Sequence, residues 1–321
     1  MSITEIRITF TFALSLQKPK YYFIQGILLA LFGAVCFSTK AIFVKLAYRD
    51  TNIDALTLLA WRMIFSVPFF VGAAFVSSTK TSNVKFTTKQ WLYIALIGCL
   101  GYYISSLLDF LGLQYVSAGI ERLILFIYPT LVLLMSSILF KQKIKPLQWL
   151  ALIITYFGLA IAFFGEVDFS SPQKQNFLLG SVLIFICAFT YAAYIVGSGR
   201  LIPKVGASKF NSYAMSFASV GVLLHFAVLG NVSLLHLPTP VYVYSFLMAI
   251  FSTVIPSYLV TASINRIGSG NAAIVGSIGP VSTILLAYFF LSEEITVWQV
   301  VGTMLILVGV LIIGKQKTID S

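Results

Sequence analysis

Charged residues are scarce in this chain of 321 residues. Asp, Glu, Lys and Arg make up 10% of the sequence, whereas soluble domains carry about 25%. Hydrophobic residues reach 59%, and the mean hydropathy is +0.96. A soluble core does not need so much apolar surface, so the composition excludes an ordinary soluble protein and indicates one embedded in a membrane.

Residues that support metal or nucleotide chemistry are also rare. The sequence has two histidines, His225 and His236, and contains neither an H-E-x-x-H motif nor a Walker A lysine. The G-x-G-x-x-A pattern of residues 268–273 follows no predicted strand, so it does not indicate a nucleotide site. We therefore predict no cofactor, no metal and no catalytic residue, with an intramembrane enzyme as the minor alternative. Three cysteines, all inside predicted helices, argue against a disulfide framework; they are Cys36, Cys99 and Cys187.

Ten segments are long enough to cross a hydrocarbon core of about 30 Å. The sequence therefore predicts an all-α polytopic membrane protein with ten transmembrane helices, five in each half. The predicted organisation is an N-terminal arm (1–21) and two five-helix repeats (22–165 and 177–314). The segments lie near 23–46, 55–77, 91–113, 118–140, 147–164, 177–198, 210–230, 241–262, 270–291 and 297–314.

The two halves resemble each other at an offset of 151 residues. Residues 117–163 align without a gap on 268–314. The loop at 141–145 is basic and its counterpart at 292–296 is acidic, as expected if the halves cross the membrane in opposite directions. This pattern predicts an inverted repeat, an architecture of secondary transporters. The aligned identities include Gly119 with Gly270, Pro129 with Pro280, Gln148 with Gln299 and Gly158 with Gly309.

Basic residues gather in alternate loops, which predicts cytoplasmic N- and C-termini by the positive-inside rule. The net charge of +11 is dispersed over these short loops, so nucleic acid is not a predicted partner. The first residues form a mildly apolar arm, for which a cleaved signal peptide is the alternative interpretation. The basic loop residues are Lys80, Lys85, Lys89, Lys141, Lys143, Lys145, Arg200, Lys204, Lys209, Arg266, Lys315 and Lys317.

Three stretches resemble a known family. They are Phe37 to Lys45 followed by Arg62, then 113–118 leading to Pro129, and then 292–296 with Gln299, Gly302 and Gly309. Together they resemble the EamA-type branch of the drug/metabolite transporter superfamily over roughly residues 22–314. The resemblance implies a ten-helix inner-membrane carrier of two inverted repeats, which exports amino acids, metabolites or toxic organic compounds.

Six charged residues fall inside predicted helices: Lys40, Arg62, Asp109, Glu121 and Arg122, with Lys45 near an outer helix end. A charge at the bilayer centre is costly and usually faces a cavity or a partner. We expect Lys40 and Arg122 to recognise an anionic or zwitterionic substrate group, and Asp109 and Glu121 to neutralise them or to take up a proton. The aligned positions of the second half carry Val260, Ala272 and Ala273, so the charge is one-sided.

Each assignment has an alternative. Arg62 is expected to be a structural charge that ties its helix to Asp109 or Glu121. Lys40 could instead extend its side chain to the membrane surface. Tyr102 and Tyr194 are predicted to offer rings and hydroxyls to a substrate, although most aromatic residues in such a chain face lipid.

Pro129 and Pro280 lie at equivalent places in predicted helices, where proline removes a backbone hydrogen bond. Broken helices mark binding sites in inverted-repeat carriers, with a simple packing kink as the alternative. The sequence thus predicts a secondary-active or facilitative transporter, most readily an exporter, that works by alternating access. A channel is the alternative. The predicted partners are a small-molecule substrate, membrane lipid and, as an open alternative, a second copy of the chain.

Overall fold

The computed structural model describes residues 20–79, 85–140, 146–166, 174–230, 234–276 and 278–319. The described part is all-helical. Most of the predicted N-terminal arm and the basic loop at 141–145 lie outside these residues. The helices are α1 Lys20–Thr51, α2 Ala55–Thr79, α3 Thr88–Gly112, α4 Ala118–Leu125, α5 Tyr128–Phe140, α6 Pro146–Glu166, α7 Lys174–Val205, α8 Ala207–Leu229, α9 Thr239–Ala273, α10 Ile278–Leu291 and α11 Val297–Ile319.

Within the described residues, seven helices are long and apolar enough to cross a membrane. Three further apolar helices are shorter: Ile153–Ala162, Ile278–Leu291 and Val297–Gly309. The number of ten spanning helices therefore stays a prediction. The predicted segment 270–291 is divided, because its first turns continue α9 and α10 alone has 14 residues, fewer than the roughly 20 that span a bilayer.

The outside of the helix bundle is apolar, which matches a lipid environment. Phe75, Ile138, Val228 and Phe289 are each at least 70% exposed. In water such a surface would be an aggregation site, whereas lipid tails solvate it without cost. Many hydroxyl groups inside the bundle donate to a carbonyl one turn back, as Ser219 does to Met215. The polarity is therefore arranged for a membrane, with polar groups inside and apolar groups outside.

Helices of the first half pack in pairs with helices of the second. Extensive contacts join α1 with α9 and α10, α2 with α8, and α6 with α11. The helix α7 packs against both α3 and α5. Two π-helical stretches recur at the 151-residue offset, Cys99–Ile104 in α3 and Ile250–Val254 in α9. π-Helical turns are rare and are frequent at functional sites.

Helix breaks interrupt the bundle at two corresponding places. A turn at Phe126 and Ile127 separates α4 from α5, and Pro129 lies in the first turn of α5. Another break precedes α10, and Pro280 lies in the first turn of that helix. Each break therefore comes just before the proline and not at it. Proline fits the first turn of a helix because the backbone N–H groups there make no intrahelical hydrogen bond.

A third interruption lies within α9, at Gly268. Its φ of 79° and ψ of 161° are non-helical, and a side chain in this region of φ would be strained. The glycine therefore allows the chain to change direction at the end of the long helix. Residues 269–275 continue from this kink towards the cavity described next.

Candidate functional site

A cavity of about 70 Å³ lies among α1, α2, α3, α4, α5, α7 and α9. Its walls come from both halves of the chain. The first half contributes the charged side chains of Lys40, Arg62 and Arg122. The remaining lining is mostly apolar or aromatic and comprises Ala30, Ala34, Phe37, Gly101, Tyr102, Ser105, Ser106, Leu125, Phe126, Tyr128, Cys187, Tyr191, Ile195, Val260, Ala272, Ala273 and Gly276.

Lys40 is held by two carboxylates. Its Nζ lies 2.7 Å from Oδ2 of Asp109 and 3.5 Å from Oε1 of Glu121. Both carboxylates have no solvent exposure, and the Lys40 side chain is 11% exposed. The ammonium is therefore the counter-ion of both acids, and the predicted extension of Lys40 to the membrane surface does not occur.

Arg62 is fully enclosed, but its partners are hydroxyl groups. Its Nε donates to Oγ1 of Thr253 at 2.6 Å and a terminal nitrogen donates to Oγ of Ser106 at 3.3 Å. Its guanidinium also lies over the ring of Phe110, 5.4 Å from the centroid. The expected pairing of Arg62 with Asp109 or Glu121 is therefore replaced, because Lys40 already occupies both carboxylates.

The π-helical stretch of α9 positions one of these partners. Thr253 lies in that stretch and donates its hydroxyl to the carbonyl of Met248, five residues back. The same oxygen accepts from Arg62. In a regular α-helix the side chains of this segment would point in other directions. The π-helical stretch therefore allows a residue of the second half to contact a charged residue of the first half.

Glu121 and Arg122 lie on the short helix α4, whose N-terminus is capped twice. Oγ of Ser117 accepts from the backbone N–H of Ile120. The carboxylate of Glu293, from the loop after α10, accepts from Ala118 and Gly119 at 3.0 and 3.3 Å. These bonds satisfy donors that a helix end leaves free and place a negative charge at the positive end of the helix dipole.

Arg122 faces the cavity with weaker partners. A terminal nitrogen donates to Oγ of Ser38 at 3.1 Å and approaches the carbonyl of Ala34 at 3.5 Å. Its Nε is buried and has no hydrogen-bond partner among the described residues. The guanidinium packs against Gly279, where an added Cβ would lie 2.6 Å from the nitrogen. Glycine is therefore required there for the arginine to adopt this position.

Tyrosine rings form the aromatic part of the wall. Tyr102 lines the cavity, but Tyr194, predicted with it, is fully buried behind it, with ring centroids 5.0 Å apart. Tyr191 and Tyr128 line the cavity instead, their rings 5.2 Å apart and edge to face. One turn on α7 separates Tyr191 from Tyr194, and the sequence carries no signal that decides which of the two faces inward.

The structure brings together five of the six charged residues that the sequence singled out, whereas Lys45 does not line the cavity. Lys40, Arg62 and Arg122 line the cavity, while Asp109 and Glu121 stand behind Lys40. Arg62, expected to be a structural charge, is thus also part of the cavity wall. An apolar helix bundle with buried charges around an internal cavity defines the class of polytopic membrane transport proteins.

The chain belongs to the EamA-like transporter family, whose sequence profile matches residues 24–164 and 178–315. It is 30% identical to the uncharacterized transporter YcbK of Bacillus subtilis over 281 residues, covering 86% of this chain and 88% of the relative. The uncharacterized inner membrane transporter YicL of Salmonella typhimurium is 22% identical over 303 residues, 91% of this chain and 96% of the relative.

A crystal structure shares the fold. Its TM-score is 0.64 at 17% sequence identity, and the match covers 89% of this chain and 94% of the other. The family and the names of the relatives thus identify a membrane transporter and point away from an enzyme.

Proposed function

We propose that this protein is a secondary-active or facilitative carrier of small organic metabolites, such as amino acids or related compounds. The observation that carries the proposal is the cavity inside the bundle, whose walls come from both halves and whose charges come from one. A carrier needs a site that either side of the membrane can reach in turn, and the boundary between two repeats provides one.

The proposed mechanism is alternating access by rocking of two inverted repeats, 22–165 and 177–314. The paired packing of helices across the halves and the π-helical stretches at the same offset support this symmetry. The breaks before Pro129 and Pro280 provide irregular backbone near the cavity, as expected where a substrate is bound.

The proposed location is the bacterial inner membrane, with both termini in the cytoplasm. The basic alternate loops support the orientation, and the inner membrane is the location named for the relative YicL. Efflux is the proposed direction, on the strength of the resemblance of the chain to exporters.

A counterflow assay tests the proposal. Purified protein would first be screened for thermal stabilisation by amino acids, nucleosides, organic cations and organic acids, because a ligand stabilises in proportion to its occupancy. Proteoliposomes loaded with an unlabelled hit should then accumulate the labelled compound transiently against its gradient. Uptake that does not saturate and is not stimulated by internal substrate would indicate a channel and overturn the carrier assignment.

Blocking the cavity provides a matched control for that assay. Ala273 lines the cavity and is 3% exposed, so Ala273→Phe should fill the site and abolish counterflow. Gly72 is on the exposed face of α2 with open space around it, and Gly72→Phe should transport normally. Equal transport by both variants would show that substrate does not pass through this cavity.

A further inference from the structure

The charges around the cavity do not balance. Three cations and two carboxylates meet there, so one positive charge has no counter-ion when both acids are ionised. A proton on either acid would increase this excess. Near the C-terminal end of α1, Lys45 interacts with Glu293 and with Glu121; Lys45 and Glu293 add one charge of each sign and leave the balance unchanged. A buried site with excess positive charge favours a ligand that brings one negative charge.

The three cations differ in what they can still bind. The ammonium of Lys40 is paired with two carboxylates. Arg62 is held by Thr253 and Ser106 and lies against Phe110. Each of these two side chains is therefore fixed by the protein itself.

Arg122 is the cation that remains available. Its hydrogen-bond partners are the neutral oxygens of Ser38 and Ala34, and its Nε has none among the described residues. A guanidinium offers two parallel N–H groups that match the two oxygens of a carboxylate. The free donor, the cavity position and the excess charge all select Arg122 as the anion-binding residue.

The other side chains of the cavity wall favour an anionic ligand over a zwitterionic one. The ammonium of an amino acid needs a carboxylate or a similar acceptor in a buried site. Both carboxylates are enclosed behind Lys40 and do not line the cavity. The rest of the wall offers the rings of Tyr102, Tyr128 and Tyr191 and aliphatic side chains, which suit the apolar body of an organic acid.

We propose that the cavity binds small monocarboxylate anions through Arg122, in preference to zwitterionic amino acids. The proposal rests on the carrier function and narrows its substrate class from small organic metabolites in general, amino acids included, to organic acids. In this arrangement Lys40 organises the two carboxylates, while Arg122 makes the contact with the ligand.

Two size-matched pairs of aromatic probes, benzoate with benzamide and phenylalanine with phthalate, separate the charge types. Purified full-length protein in detergent at neutral pH would be titrated with benzoate, benzamide, phenylalanine and phthalate, and the unfolding temperature recorded. Benzoate should bind roughly tenfold or more tightly than neutral benzamide, because only the anion makes charge-assisted bonds with Arg122. Phenylalanine and the dianion phthalate should both bind more weakly than benzoate.

Two pairs of variants locate the contact. Arg122→Gln should abolish the benzoate response, whereas Arg266→Gln removes an arginine that does not line the cavity and should retain it. Gly279→Ala keeps every charge but places a Cβ against the Arg122 guanidinium, so it should weaken benzoate binding several-fold. Gly72→Ala adds the same atom in open space and should bind normally. The Gly279 pair keeps the test valid if Arg122→Gln fails to fold.

The outcomes distinguish the substrate class from the carrier function. Equal binding of benzoate and benzamide, or an undiminished benzoate response in Gly279→Ala and Arg122→Gln, would overturn the proposal. Stabilisation by phenylalanine alone, with phenylalanine counterflow, would also overturn it but would leave the carrier function intact. Failure of counterflow with every stabilising compound would count against the carrier function instead.

Discussion

Replacing Lys40 with methionine should destabilise the protein strongly. Methionine keeps the length of the side chain but removes the ammonium that lies 2.7 Å from Asp109 and 3.5 Å from Glu121. Two carboxylates with no solvent exposure would lose their counter-ion. From the sequence alone, Lys40→Met is expected to relieve a desolvation cost and to leave the protein folded. The structure reverses that expectation because the ammonium is the counter-ion of two buried carboxylates.

The size of the effect follows from the pairing. Removing one partner of a buried ion pair costs about 3–5 kcal/mol. At about 2–4 °C per kcal/mol in a large domain, the unfolding temperature should fall by roughly 10 °C.

The assay is thermal unfolding of purified protein in detergent, with two controls. Lys89→Met removes an exposed lysine from α3 and should change stability by less than about 0.5 kcal/mol. The triple variant Lys40→Met, Asp109→Asn, Glu121→Gln removes all three charges together and should recover most of the lost stability. An unfolding temperature of Lys40→Met within 1–2 °C of wild type, which is about the effect of 0.5 kcal/mol, would refute the pairing argument.

Arg62→Ala should cost about 1–3 kcal/mol, less than Lys40→Met, because it removes the hydrogen bonds to Thr253 and Ser106 but strands no carboxylate; a larger loss in thermal unfolding would contradict this order. Glu293→Gln should cost about 1 kcal/mol, since it removes the negative charge at the N-terminus of α4. An unchanged unfolding temperature would show that this cap contributes nothing. A reporter active only in the cytoplasm should give signal when fused at Lys204 and none at Glu294; signal at Glu294 would contradict the proposed orientation.

Hydropathy and intramembrane charge are properties that a sequence carries locally. A run of apolar residues long enough to span a bilayer must form a helix, since the backbone has no other means of satisfying its polar groups in lipid. A charge within such a run must find a partner or a cavity. The membrane class, the helical segments and the importance of Lys40, Asp109, Glu121 and Arg122 therefore follow from the sequence.

The choice of partners depends on tertiary structure. Arg62 and Thr253 are 191 residues apart, and they meet because a π-helical stretch in α9 shifts the register by part of a turn. Tyr191 faces the cavity and Tyr194 does not, although one turn separates them. Helical periodicity fixes the angle between side chains on one helix, but it does not fix the rotation of that helix against its neighbours. The rotation of each helix against its neighbours pairs Lys40 with both carboxylates and leaves the Nε of Arg122 without a partner among the described residues. Only the packing of the helices determines that rotation.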